Sequence, residues 1–440
     1  MAKQMNKGRK VLMSLLIAVA LSSACVSMAK DSSKGITFNV ISHMAHKKVA
    51  TTGNGGSVLD IFLKEHKDVI KEVDWETQEI SGVHERLFRE AALPKTALDV
   101  AYLIEAEATP RIRHFLEPLN SYLEKNPIPG FPEDFPPALV DAVTFDGKIY
   151  AIPVRTYTSV LHWNRAVFEE RGIKNPPTTV EEFKEVVQKL TFTRKNGEKV
   201  YGFGKHVTPI LHTLSDLTGW YGGELITPDL RVVCDQPPAV KGLELLVWMY
   251  KNGFMPPETP SMSHADLELY AQLGNIAMTS QSPGKTDVYN DPDASRVAGK
   301  WDIAPLPLAE EVSDRFEATP THAGCWYLTI PANAQRKELS WEFIRTLSSE
   351  EGSLMMALNG NVPTRLSVYD REEYYKTAKE AGIVQKQLKV ARFPLPSFEK
   401  ASQAEELIDI YAKRALLGEL EPQEAMDLLA KELRKFKELK

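Results

Sequence analysis

The sequence predicts an α/β protein of two lobes, and two observations carry that reading. Short β-rich runs alternate with amphipathic segments from Ile36 onward, the pattern of βαβ units around a mostly parallel sheet. At 440 residues the chain also exceeds one comfortable hydrophobic core, so two lobes of ordinary size are the natural division.

The first 29 residues stand apart from that pattern. Lys3, Lys7, Arg9 and Lys10 form a basic start, followed by an apolar run from Val11 to Leu21 broken only by Ser14. Such a run is too short to span a bilayer, so residues 1–29 read as a signal peptide and the protein as exported. Ser27-Met28-Ala29 offers a cleavage site that leaves Lys30 as the new start. Leu21-Ser22-Ser23-Ala24-Cys25 resembles a loose lipobox that would acylate Cys25 and anchor the chain at the cell surface. Soluble export, to a periplasm, is the expectation.

Ile36 to Ile41 reads as a strand that enters a Gly-rich loop at Gly53-Asn54-Gly55-Gly56. A helix follows Ser57, strand character returns from Val69 to Thr77, and Val83 to Leu93 is helical again. Leu98 to Tyr102 is the third strand. Later signals are sharper. Thr179 and Glu182 form a capping box ahead of Phe183, Val186, Val187 and Leu190 on one helical face. Val240, Leu243 and Val247 make another stripe, closed by Gly253. Pro422 belongs in the first turn of the last helix, which buries Ala425, Leu428, Leu429 and Leu433.

Loss of the leader removes four positive charges and takes the formal charge from −6 to about −10. An acidic chain without a basic run argues against a nucleic-acid partner. Beyond the leader only Cys234 and Cys325 remain, too few for a disulfide framework, and whether they pair stays open.

From Asp146 the chain reads D-G-K-I-Y-A-I-P-V-R-T-Y-T-S-V-L-H-W-N: a turn, two short apolar strands and a helix start. Phe145–Asn164 resembles the "G-K-x-Y-x-x-P…Y-N" segment of the bacterial extracellular solute-binding proteins of family 1, with Trp163 where Tyr is usual. Trp220-Tyr221-Gly222-Gly223, Gly274-Asn275-Ile276-Ala277-Met278 and Ala304-Pro305-Leu306-Pro307 are similar to further family motifs, in the family's order. Ala323-Gly324-Cys325-Trp326 and Asn361-Val362-Pro363-Thr364-Arg365 complete the set.

The resemblance implies a type II-like periplasmic-binding-protein fold, with an interlobe cleft and hinge strands near Ile149–Val154, Pro305–Pro307 and residues 350–365. One lobe would hold residues 36–150 and 304–352, the other 151–303 and 353–440. It further implies a monomer that binds a sugar or oligosaccharide, closes by hinge bending and delivers its ligand to the permease subunits of an ABC importer. No cofactor and no metal are expected.

A sugar site needs flat aromatic platforms and fixed polar groups, placed on loops at strand ends. Ser42 and His43 follow the first strand, and Tyr102, Glu105 and Glu107 follow the third, in a loop where the family has ligand contacts. Arg155 and Tyr157 come after the first hinge strand, and an arginine there can fork onto a hydroxyl pair or a carboxylate. Trp220, Tyr221 and Trp326 are the candidate platforms, and His206 and His212 flank a Pro-containing loop. Trp75, Trp163, Trp248 and Trp341 are expected in the core. The arginine and histidines also leave room for an anionic solute such as a uronate or a glycerol phosphate.

The sequence lacks the motifs G-x-S-x-G, H-E-x-x-H and C-x-x-C. Ser282-Pro283-Gly284-Lys285-Thr286 suggests a phosphate loop, but Thr279 stands where its first glycine is required. Asp291-Pro292-Asp293 lacks the glycine and the distal glutamate of a calcium loop. An exported glycosidase needs only two facing carboxylates, and it is the less favoured alternative to a binding protein.

Overall fold

A computed structural model describes residues 35–378 and 380–440. Cys25, Ala29 and Lys30, and with them both expected processing sites, lie outside the described residues.

Ile36–Ser42 (β1) pairs in parallel with Ile70–Thr77 (β2) on one side and Val100–Ile104 (β3) on the other. Between β1 and β2 lies a helix, Met44–Thr51, that sequence periodicity did not reveal. Its N-cap is His43, whose Nδ1 accepts from the Ala45 N–H at 3.2 Å, and its buried Val49 and Ala50 come only at its end. The next helix, Val58–Glu65, starts on Ser57 as expected.

Asp146 and Gly147 take the turn at positive φ (52° and 73°) between Thr144–Phe145 (β4) and Lys148–Ile149 (β5). Ile152–Thr158 (β6) then enters the first sheet, Ser159 intervenes, and Val160–Asn164 (β7) enters the second. The second sheet is completed by Phe192–Thr193 (β8), Lys199–Phe203 (β9), Ile276–Gln281 (β10) and Trp301–Ala304 (β11), in the order β11-β7-β10-β9-β8. Ala323–Thr329 (β12) returns to the first sheet, whose order is β2-β1-β3-β12-β6.

Neither sheet is purely parallel. The first is parallel across β1, β2 and β3, but β12 runs antiparallel to both its neighbours. In the second, β7 opposes both β10 and β11. β7 and β12 are each entered from the other sheet rather than through a helix packed on their own, so nothing forces the parallel sense on them.

The first crossing lies at Ser159, beyond the expected Ile149–Val154, because β6 stays hydrogen-bonded to β12 through Thr158. Residues 152–158 therefore sit in the first sheet. Leu306, Ala309 and Val312 pack into the core beneath the second sheet, although the expected division gave residues 304–352 to the first lobe. A third crossing follows the helix Glu350–Leu358, where Val362 accepts from the Thr156 N–H.

The capping box at Thr179, Gly253 at φ 70° and Pro422 at the start of Pro422–Leu433 stand where the sequence put them. Trp75 and Trp341 are core residues, and Trp163 and Trp248 pack against a core. Cys234 and Cys325 are free thiols buried in the cores of different sheets.

Candidate ligand-binding site

The three crossings, at Ser159, at His322 just ahead of β12 and at Gly360 to Val362, meet in a cleft of about 690 Å³. Six of the chain's ten histidines line it: His43, His46, His206, His212, His264 and His322. Among the described residues the lining includes Arg155, Lys205 and Lys285 and no carboxylate.

The wall on the first sheet is aromatic. His46 stacks on Tyr102 with ring centroids 4.5 Å apart and meets the edge of Trp326 at 4.6 Å. His84 stacks on Trp326 at 5.7 Å. Burial, helped by Arg155 and His43, holds His46 well below the usual imidazole range, so it is neutral at pH 7. Arg155 lies directly across the strand pair from Trp326.

The wall on the second sheet is polar. Lys205 follows β9 and is 2% exposed, with Nζ 3.1 Å from Asp216 and donating to Ser280 at Oγ (2.8 Å) and at the carbonyl (2.5 Å). Lys285 pairs with Glu268. His206 lies 3.8 Å from His264, centroid to centroid. Burial and neighbouring cationic groups push His206 and His212 down to about 3. The Nδ1 atoms of these two histidines and Nε2 of Gln281 are buried without a hydrogen-bond partner.

Asp216, fully buried in the helix Ile210–Trp220, organises the floor. Its Oδ2 accepts from Ser159 (2.9 Å) and Lys205, and its Oδ1 accepts from the Thr321 hydroxyl (2.7 Å), the His322 N–H (3.2 Å) and His322 Nδ1 (2.7 Å). Burial alone would raise its pKa, but His322 and Lys205 outweigh that and hold the carboxyl well below its usual range.

Of the residues expected at a site, His43, Arg155, Tyr157, His206, His212 and Trp326 are brought together in this cleft. The others lie elsewhere. Ser42 is buried and its Oγ accepts from Trp75 Nε1 at 2.8 Å. Tyr102 is 1% exposed behind His46. Glu105 accepts from the Tyr157 hydroxyl at 2.6 Å and from the Cys325 N–H, which places it behind the floor. Glu107 pairs with Arg111. Trp220 and Tyr221 pack into the core of the second sheet, with Gly222 turning away at φ 71°.

Lys205, His264, Gln281 and His322 were not anticipated. Lys205 and Gln281 stand at strand ends and His322 directly before one, so the rule that found His43 and Arg155 applies to them too. Lys285 belongs to the rejected phosphate loop, and it enters the cleft by a different route. Among the described residues no cluster of three or more His, Cys, Asp or Glu is arranged to hold a metal ion.

Residues 47–353 match the family described as bacterial extracellular solute-binding protein. A binding protein of Brucella abortus is 24% identical over 276 residues, which cover 61% of this chain and 62% of that protein's length. The GacH receptor of Streptomyces glaucescens superposes with a TM-score of 0.73 at 20% identity, over 92% of this chain and all of its own (100%). The sugar-binding protein MalE of Xanthomonas citri gives 0.73 at 20%, over 91% and 97% of the two chains. These likenesses show a fold of the two-lobed periplasmic-binding type.

Proposed function

Since this chain belongs to the bacterial extracellular solute-binding proteins, which bind rather than transform their ligands, we propose that it captures a saccharide or saccharide derivative between its lobes. Delivery of that ligand to the permease subunits of an ABC importer, by a monomer, completes the proposal. The observation that carries it is the cleft itself. Its volume of about 690 Å³ suits a small solute, and both sheets contribute side chains to it. An imidazole and indole face opposes buried polar atoms that have no partner among the described residues. Such atoms are costly to leave unpaired, and ligand hydroxyls would satisfy them. The Streptomyces glaucescens receptor, whose structures include an acarbose complex, is a polyhydroxylated precedent on the same fold.

Closure is read as a population shift: the closed form gains only through contacts that both lobes make to one ligand. The three crossings leave the lobes free to turn relative to each other. Export is soluble in this proposal, with acylation at Cys25 as the alternative that the mass of the mature protein decides.

A thermal-shift screen against neutral sugars, uronates and sugar phosphates tests the reading. A ligand at 100 times its Kd adds about 2.7 kcal/mol of stability. A raised melting temperature with the ligand recovered intact is the expected outcome. Consumption of the ligand would instead favour a glycosidase.

A further inference from the structure

We propose that the solute carries an anionic group, a carboxylate or a phosphate, and that this group seats on Arg155. The inference rests on the cleft being the solute site, and it narrows the class of solute.

Arg155 is set apart by what it lacks. Among the described residues, every other arginine that is buried or half-buried lies within ion-pair distance of a carboxylate: Arg336 with Asp99, Arg365 with Asp134 and Arg194 with Glu170 are examples. Among the described residues Arg155, half-buried midway along β6, makes neither an ion pair nor a side-chain hydrogen bond. A guanidinium offers five N–H donors in a rigid fork, and leaving them unmatched away from bulk water is unfavourable. Ions held in this fold for structural reasons are matched. Lys205 and Lys285 line the same cleft, and each already has its carboxylate, Asp216 and Glu268.

The surroundings of Arg155 favour an anion over a neutral sugar. Its near neighbours are Tyr102, His46 and Trp326, none of which carries negative charge at neutral pH. Neutral hydroxyls need strong acceptors as well as donors, and carboxylates are the strongest acceptors a protein owns. The cleft has none among its described lining residues. A carboxylate or phosphate is an acceptor only, and it matches a fork of donors. Across the cleft, the unpartnered Gln281 Nε2 is a further donor, and His206 Nδ1 can take or give a bond to the ligand's hydroxyls.

The test is calorimetric titration of the full mature chain with glucuronate, glucose 6-phosphate, glycerol 3-phosphate, glucose and maltotriose, in wild type and in Arg155→Gln. We expect one of the three anions to bind, with affinity at least tenfold weaker in R155Q. Which anion binds separates a carboxylate from a phosphate. Binding of glucose or maltotriose alone, at equal strength in both proteins, would overturn the anion and leave the cleft reading intact. Binding of no probe counts against the cleft as a saccharide site and takes this inference with it. The melting temperature of the ligand-free variant adds a control. A waiting guanidinium predicts that R155Q melts at or above wild type, whereas a hinge brace predicts a lower value.

Discussion

The two walls of the cleft handle polarity in opposite ways. On the first sheet, rings pack on rings, Tyr102 on His46 and His46 against Trp326, and Arg155 beside them has no partner among the described residues. On the second sheet, both ammonium groups are matched by carboxylates, while imidazole and amide nitrogens are left unmatched. Charge is thus settled on one wall and open on the other, while hydrogen-bonding groups are left open on both, the Arg155 guanidinium on the first and imidazole and amide nitrogens on the second. A ligand that satisfies both must bring negative charge to one side and hydroxyls to the other. Binding by either wall alone leaves half of the demand unmet, which makes closure worthwhile for the right solute.

The harshest way to break this contrast is to unmatch the second wall. Asp216→Asn removes the charge that compensates buried Lys205, and we expect about 3–5 kcal/mol of lost stability in urea unfolding. Trp326→Ala attacks the first wall. The ring is 7% exposed and packed between His46 and His84, so the loss should be about 3 kcal/mol, together with at least tenfold weaker ligand binding.

Titration separates the walls more gently. His206 and His212 sit at about 3 when folded, against about 6.5 when unfolded. Below pH 6.5 the unfolded chain takes protons that the folded one refuses, so this stability is present above 6.5 and is lost as pH falls toward 3. Each such histidine contributes a slope of about 1.4 kcal/mol per pH unit inside that window. The urea midpoint should therefore drop between pH 6.5 and 4.5, and less so in the double variant His206→Gln, His212→Gln. The smallest effect expected is from His43→Ala, which removes an N-cap and should cost about 1 kcal/mol.

Local chemistry made much of the scaffold legible. The Thr179 capping box, the Asp146-Gly147 turn, the Gly253 stop and the Pro422 start each depend on residues within one turn of chain. The helix Met44–Thr51 escaped notice because its buried apolar residues fall late and its cap is an imidazole. Within the site, expected position at a strand end found His43, and it found Arg155 although β6 runs on past it to Thr158. That rule does not say on which side of the floor a residue lies. Glu105 follows β3 as anticipated, yet it serves Tyr157 from behind. Lys205 was passed over although the same rule reaches it, because a lone lysine reads as solvent-exposed until its carboxylate, eleven residues on, folds beneath it. Trp220 and Tyr221 look like platforms beside two glycines, but their helix turns both rings into the core.

Asp216 has a consequence for how this molecule moves. One carboxylate gathers Ser159 from the first crossing, Thr321 and His322 from the second, and Lys205 from the end of β9 in its own lobe. With all those bonds retained, rotation of the lobes has its axis close to that carboxylate. Groups near the axis, such as Tyr157 and His322, keep their spacing throughout the swing. Groups farther from the axis travel farther. A bound solute would then be read in two stages, first by a fixed template at the pivot and then by side chains that arrive with the swing.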